Sequence, residues 1–275
     1  MRTHCTHSRI DCSRRSALKR IALLSTIAAF QPSVVSAQEK RAAAKITDED
    51  IFNFALNLES LETEYYLRGT TGKGMDDADA GSNPGAVTGG NMVPWQDDDL
   101  HQFMDEVAAN ELAHVRFYRK TLGKNAVSRP AIDLTGFAAA AKAAGLGDNF
   151  DPFASEMNFF LGGMLMEDVG VTAYHGAAPL ISNKKFLDAA AGILAVEAYH
   201  MGMARSVLYR MGQEAREAAN ALSDARDKLD GSEDLDQGIV MDGKANIVPS
   251  TADGIAFSRT PQQVLRIVYL ADKAG

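Results

Sequence analysis

Apolar side chains recur at the spacing of a helix face along most of the chain beyond residue 45, and stretches rich in Gly, Asp and Pro separate these segments. Alternation typical of β-strands is hard to find anywhere in the sequence. Four segments are long enough for the helices of a bundle, and they run from Thr47 to about Arg68, from about Trp95 to Leu122, from about Pro152 to Tyr174, and from about Lys184 to Met211. The pattern therefore predicts an all-α protein.

The connections between these helices are long. The first one, from Gly69 to Pro94, holds seven glycines and few apolar residues, so it is predicted to be a loop. A C-terminal extension, residues 231–275, follows the predicted bundle domain of residues 38–230. Shorter helices are predicted over Phe137–Ala144, Ala215–Leu229 and Pro261–Ala271.

The first 37 residues have the layout of a cleaved export signal. Arg14 and Arg15 begin a basic region, an apolar run too short to span a bilayer follows, and small residues end at Ala37. The paired arginines indicate the twin-arginine route. Ala17 stands where that signal usually carries a bulky residue, which leaves the general secretory route open. The sequence predicts a periplasmic or extracellular protein.

Removal of this signal would change the composition. Both cysteines, Cys5 and Cys12, would be lost, which excludes disulfides and thiolate metal sites from the remaining 238 residues. Those residues carry 22 Lys and Arg against 35 Asp and Glu, a formal charge of −13. Because nucleic acids and anionic membranes require basic patches, neither is predicted as a partner.

Two Glu-x-x-His pairs carry the candidate chemistry. Glu111 and His114 lie on the second predicted helix, and Glu197 and His200 lie on the fourth. A spacing of three residues places both side chains of a pair on one helix face, about 5–6 Å apart at Cβ, where both can reach one metal ion. The alternative is that each pair lies on an exposed face and makes only local contacts.

Single glutamates on the other two helices strengthen the metal interpretation. Glu59 lies on the apolar side of the first helix, and Glu167 interrupts an apolar stripe of the third. The order Glu, Glu-x-x-His, Glu, Glu-x-x-His matches the known arrangement of di-iron and di-manganese carboxylate bundles.

The chain resembles the ferritin-like superfamily and, within it, the desiccation-related proteins and their bacterial relatives. The resemblance lies in Asn57-Leu58-Glu59 with Tyr66 seven residues on, and in the segment from Ser258 to Tyr269. It implies a ferritin-like four-helix bundle with long connections and extra C-terminal helices, binding two Fe or Mn ions. The metal ligands that it implies are Glu59, Glu111, His114, Glu167, Glu197 and His200, with Glu62 as an alternate to Glu59.

Four other side chains have weaker assignments. Tyr66 and Tyr174 each follow a candidate ligand by two turns, so each either supports a ligand or is an ordinary core tyrosine. His101 is interpreted as a solvated residue of a first helical turn, and His175 as a helix-terminal histidine.

A carboxylate and imidazole ligand set suits Fe or Mn and permits redox chemistry on peroxide or dioxygen. The first hypothesis is a peroxidase- or catalase-like enzyme whose partner is a small-molecule oxidant. The second is a stress-protective protein in which the metal stabilises the bundle, and the third is iron binding or storage. The long first connection disfavours a storage shell, although a homo-oligomer remains open.

Overall fold

A computed structural model describes residues 46–231 and 233–270 of the chain. The predicted export signal, residues 1–37, lies outside the described residues. Within those ranges eight α-helices are found: α1 (Asp48–Thr71), α2 (Asp77–Ala80), α3 (Asp98–Leu122), α4 (Phe137–Ala143), α5 (Glu156–Ala177), α6 (Lys184–Arg210), α7 (Gln213–Asp230) and α8 (Pro261–Val268). The predicted all-α architecture is confirmed, with α1, α3, α5 and α6 as the bundle.

Local side-chain chemistry sets where these helices begin. Thr47 forms a capping box with Asp50 at the start of α1. Asp97 accepts hydrogen bonds from two backbone amides and starts α3, three residues later than the sequence pattern indicates. The Ser155 hydroxyl accepts a hydrogen bond from the backbone amide of Asn158 and starts α5, which begins at Glu156 rather than near Pro152.

Four two-residue strands lie in the connections. β1 (Val87–Thr88) pairs in parallel with β2 (Ile132–Asp133), and β3 (Val240–Met241) pairs antiparallel with β4 (Lys244–Ala245). The sequence analysis predicted no strands, because a two-residue strand is too short for an alternating pattern to be visible. The β1–β2 pair joins the two long connections, 69–94 and 124–152, to each other.

The bundle is built from two helix pairs, α1 with α3 and α5 with α6. Its apolar core has two parts with polar side chains between them. Along α1, Phe52 and Leu56 belong to one apolar cluster and Tyr65 and Tyr66 to the other. In the second cluster the ring of Phe159 stacks on Tyr65, with centroids 4.6 Å apart. The interval between the two clusters holds buried glutamates.

Buried ion pairs link the part of the chain after α6 to the bundle. We call this set the arginine–aspartate cluster. Its members are Arg205, Arg226, Arg259, Asp168, Asp230 and Asp236. Arg205 on α6 also donates to the backbone oxygens of Gln237, Gly238 and Asn246. The division at residue 230 into bundle and extension stays a prediction.

Among the described helices, none combines the length and the apolar character required to cross a membrane.

Candidate metal centre

The residues that the resemblance implies as ligands meet between the two apolar clusters, near the middle of the bundle. Each bundle helix contributes: α1 gives Glu59 and Glu62, α3 gives Glu111 and His114, α5 gives Glu167, and α6 gives Glu197 and His200. All seven residues are at most 8% exposed. We call this set the carboxylate–histidine cluster.

Six of these side chains form two overlapping groups, in each of which four ligand atoms lie within 4.8 Å of one another. Glu59 and His114 belong to the first group alone, and Glu167 and His200 to the second alone. Glu111 and Glu197 belong to both. Each group could hold a metal ion, and the two groups share two carboxylates.

The histidines face the cluster through the same ring atom. His114 Nδ1 lies 3.1 Å from Glu59 Oε2 and 3.2 Å from Glu111 Oε2. His200 Nδ1 lies 2.9 Å from Glu111 Oε1 and 3.5 Å from Glu167 Oε2. The two oxygens of Glu111 therefore point to different histidines, which is the geometry of a bridging carboxylate.

Several atoms in this cluster are buried without a hydrogen-bond partner: Glu111 Oε1, Glu167 Oε2, both carboxylate oxygens of Glu197, and His200 Nδ1. The short approach of His200 Nδ1 to Glu111 Oε1 lacks hydrogen-bond alignment. A buried polar atom without a partner costs about 1–3 kcal/mol, and a charged one costs more. These orphaned atoms face one another, so cations bound among them would satisfy all of them. The donor set fits a pair of metal ions.

Electrostatics support the same conclusion. Burial raises the pKa of Glu62, Glu111 and Glu197 well above the ordinary value of 4.5, and the neighbouring glutamates add to the effect. Burial alone would also raise the pKa of Glu59, but the hydrogen bond and charge of His114 hold it below that value. Without a cation, the cluster therefore resists carrying its full negative charge.

Tyr66 and Tyr174 each donate a hydrogen bond across the bundle to a glutamate that belongs to only one of the two groups. Tyr66 on α1 donates to Glu167 Oε1 on α5 at 2.6 Å. Tyr174 on α5 donates to Glu59 Oε1 on α1, and its own oxygen lies 2.8 Å from that of Tyr118. Each carboxylate keeps its second oxygen for the cluster. Sequence spacing suggested a supporting role for the two tyrosines, but not the exchange between helices.

Asn110 contacts His200 on the side facing away from the cluster, with its Nδ2 at 3.2 Å from the ring Nε2. If Nδ1 ligates a cation, Nε2 carries the proton and needs an acceptor. A half-turn of the Asn110 amide places its oxygen there without moving any other atom. The sequence analysis missed Asn110, because nothing in its spacing distinguishes it from a surface residue.

Glu62 lies beside the two groups rather than in them, and a glycine makes room for it. A Cβ at Gly170 on α5 would lie 2.3 Å from Glu197 Oε2 and 3.5 Å from Glu62 Oε1. Gly170 therefore permits α5 to approach two carboxylates closely. The sequence analysis also missed this glycine.

His101 lies in the first turn of α3, as predicted, but the prediction that it is solvated is wrong. Its ring stacks on Trp95 with centroids 4.9 Å apart, and its Nε2 lies 3.1 Å from the backbone oxygen of Thr70. The segment before α3 folds back over this histidine and half-buries it. His175 lies in the last turn of α5, with Nδ1 at 3.1 Å from the backbone oxygen of Phe257.

Comparison with known proteins agrees with this architecture. Residues 47–210 match the family described as the ferritin-like domain. The chain belongs to this ferritin-like family. Its match contains all four bundle helices and every member of the carboxylate–histidine cluster.

Two relatives of this ferritin-like chain are similar over most of their length. It is 31% identical over 245 residues to the desiccation-related protein PCC13-62 of Craterostigma plantagineum, covering 80% of this chain and 76% of the relative. It is 27% identical over 248 residues to the ferritin-like catalase Nec2 of Nesocodon mauritianus, covering 81% and 78%. The resemblance to the desiccation-related group is thus confirmed. No solved structure is significantly similar to the chain.

Proposed function

We propose that this protein is exported and binds two Fe or Mn ions in the carboxylate–histidine cluster, where it disproportionates peroxide and so protects the cell envelope from oxidants. The observation that carries the proposal is the pair of four-residue groups that share Glu111 and Glu197. Carboxylate and imidazole donors favour Fe or Mn over ions that prefer thiolates.

In the proposed centre, Glu59 and His114 would hold one ion, Glu167 and His200 would hold the other, and Glu111 and Glu197 would be available to both. When bound, such a redox-active pair supplies and recovers the two electrons that cleavage of an O–O bond requires. Two molecules of hydrogen peroxide then give two of water and one of dioxygen, so no outside electron donor is consumed. The relative named as a catalase supports this choice of substrate.

The protein's own residues orient the ligands and hold protons. Tyr66 and Tyr174 donate to the outer oxygens of Glu167 and Glu59, which fixes the inner oxygens toward the cluster. Glu62 lies outside both groups, and burial with its neighbours Glu59 and Glu167 raises its pKa. It is the carboxyl that would hold a proton beside the proposed centre and return it.

A second function has support from the other relative. In a desiccation-related protein, the same ions would stabilise the bundle and turnover would be incidental. The identity of 31% to a protein of that name favours this alternative. The two functions require the same ligands, so the measurement that separates them is turnover.

The test is metal analysis of protein purified from its export compartment, followed by peroxide consumption with a dioxygen electrode. We expect two Fe or Mn ions per chain and one dioxygen released for every two peroxides consumed. Glu111→Gln should abolish this release. Bound metal without release would favour the protective function, and protein purified without Fe or Mn that also fails to take up either ion would contradict both.

Export is tested by cell fractionation. If the twin-arginine route is used, replacing Arg14 and Arg15 by Lys should leave the precursor in the cytoplasm. Mature protein that begins near Gln38 and still appears outside would indicate the general secretory route instead.

A further inference from the structure

A groove opens on the surface between α3 and α6, directly beside the candidate centre. Four residues of each helix line it, and its volume is about 340 Å³. Since a water molecule needs about 10–15 Å³ by this measure, the groove has room for many small molecules. Phe103 and Tyr199, which line it, are 42% and 75% exposed, so it is open to solvent.

The ring of His200 lies between this groove and the carboxylate–histidine cluster. His200 lines the groove together with Asn110, and its Nε2 contacts the Asn110 amide at 3.2 Å. Its Nδ1, on the opposite side of the ring, lies 2.9 Å from Glu111 Oε1. His200 is only 5% exposed, and its Nδ1 has no hydrogen-bond partner. The groove thus ends one imidazole ring away from the proposed ligands.

The lining favours uncharged molecules over anions. Its walls include the apolar Val107, Val196 and Met203, and its one charged side chain, Glu106, is negative and exposed. The glutamates of the cluster lie behind the groove. An anion would meet the negative charge of Glu106 at the rim. Asn110 and His200 offer hydrogen-bonding groups to a small hydroxylic molecule.

We propose that this groove is the entrance through which a small uncharged oxidant of the hydrogen peroxide class reaches the centre, passing beside the imidazole of His200. The inference rests on the proposed function for the identity of the substrate. The route itself is testable in metal-free protein.

The experiment narrows the groove with a large side chain at two separate positions, Val196→Trp and Met203→Trp. The matched control is Ala195→Trp, on the same helix at an exposed position that does not line the groove. Diethyl pyrocarbonate, a small uncharged reagent that modifies imidazoles, is applied to folded metal-free protein. Modification of His200 is followed by mass spectrometry, with His101 as the internal reference.

We expect both groove variants to slow modification of His200, and in the metal-loaded protein to lower kcat/KM for peroxide, each by about tenfold, which corresponds to about 1.4 kcal/mol of barrier. Modification of His101 and the behaviour of Ala195→Trp should match the unaltered protein. Unchanged modification of His200 in both variants would overturn the route. Slowed modification with unchanged kcat/KM would overturn the groove as the substrate entrance.

The preference for uncharged molecules has its own test. Glu106→Gln, which removes the charge and keeps the size of the side chain, should speed the binding of azide, an anion, to the metal-loaded protein more than it changes kcat/KM for hydrogen peroxide. Equal acceleration of both would contradict the proposed selectivity. If the protein binds no metal and consumes no peroxide, the proposed function fails, while His200 modification still reports whether the groove reaches the centre.

Discussion

Two clusters of charged side chains are buried next to each other in this protein, and they differ in how their charges are balanced. Neighbouring residues of α5 belong to different clusters, Glu167 to the carboxylate–histidine cluster and Asp168 to the arginine–aspartate cluster. The second contains three arginines and three aspartates, so its formal charges cancel. The first contains five glutamates and two histidines. Among the described residues, none of these five glutamates pairs with an arginine or lysine.

The difference shows that grouped carboxylates alone do not identify a metal centre. Asp227, Asp230 and Asp236 also lie close enough together to hold an ion. Arg259, however, donates to Asp230 at 2.7 Å and to Asp236 at 2.5 Å, so guanidinium groups already supply the positive charge there. The carboxylate–histidine cluster lacks such a partner, and a cation from outside the chain would satisfy its orphaned atoms.

The largest expected effect comes from breaking the balanced cluster. Arg259→Met should lower the free energy of unfolding by about 3–5 kcal/mol, because it leaves buried Asp230 without its arginine partner and Asp236 with Arg226 alone. Denaturant unfolding measures the loss. The control is Arg116→Met, which removes an exposed pair with Asp79 and should cost less than about 1 kcal/mol. Equal losses would show that burial of the Arg259 pairs contributes little.

The second-largest loss in the free energy of unfolding is expected when the metal is removed. Saturating metal at 100 to 1,000 times its Kd adds about 3–4 kcal/mol to the free energy of unfolding, which a chelator would remove. Melting curves recorded with and without chelator, after metal loss is verified, measure this. Identical curves would contradict a buried metal centre.

The pH dependence of those curves should have opposite signs in the two forms. A carboxyl whose folded pKa is raised stabilises the fold below its unfolded pKa of about 4.5, and this contribution is lost as pH rises through the folded pKa. Glu62, Glu111 and Glu197 shift in this direction and Glu59 shifts in the other. Metal-free protein should therefore lose stability as pH rises above about 4.5, whereas bound cations favour ionised carboxylates and should reverse the trend.

A smaller effect is expected from Gly170→Ala. Alanine is the better helix former by about 1 kcal/mol, yet its methyl group would collide with Glu197, so we expect a net loss of about 1–3 kcal/mol and weaker metal binding. The control is Gly192→Ala on α6, where a Cβ would meet no atom within 4 Å. That variant should be neutral or slightly stabilising. Stabilisation by both substitutions would show that Glu197 does not need this space.

The smallest effect tests the contact behind His200. Asn110→Leu should weaken metal binding roughly tenfold, because it removes the acceptor for His200 Nε2–H. Asn110→Asp keeps an acceptor oxygen and should retain most of the affinity. Competition titration with a chromophoric chelator measures both. Equal weakening in the two variants would contradict the proposed role of Asn110.

The structural features that could be predicted from the sequence are those that depend on a single helix. The Glu-x-x-His spacing places each pair on one face whatever the packing, and the cap at Thr47 depends only on its next few residues. The structure brings all six sequence-predicted ligands, and Glu62, into one cluster. Glu62 stays an alternate ligand to Glu59, since it is as buried as the others but lies beside the two groups.

What the sequence could not show depends on the stagger between helices. Tyr66 donates to Glu167 on α5 rather than to Glu59 on its own helix. This contact depends on the axial offset between α1 and α5, which the sequence of one helix does not contain. The space at Gly170 and the contact of Asn110 with His200 arise in the same way. The prediction that His101 is solvated was wrong because the connection that covers it carries no periodic pattern from which its path could be inferred.

The measurement that tests the central claim most directly is metal content per chain in His114→Ala, His200→Ala and the double variant. The account predicts two ions in the unaltered protein, a clear loss in each single variant, and a double loss smaller than the sum, since both histidines act on one cluster. His101→Ala, whose ring stacks outside the cluster, should keep both ions. If the test variants and this control bind Fe or Mn equally well, the two-metal centre is wrong.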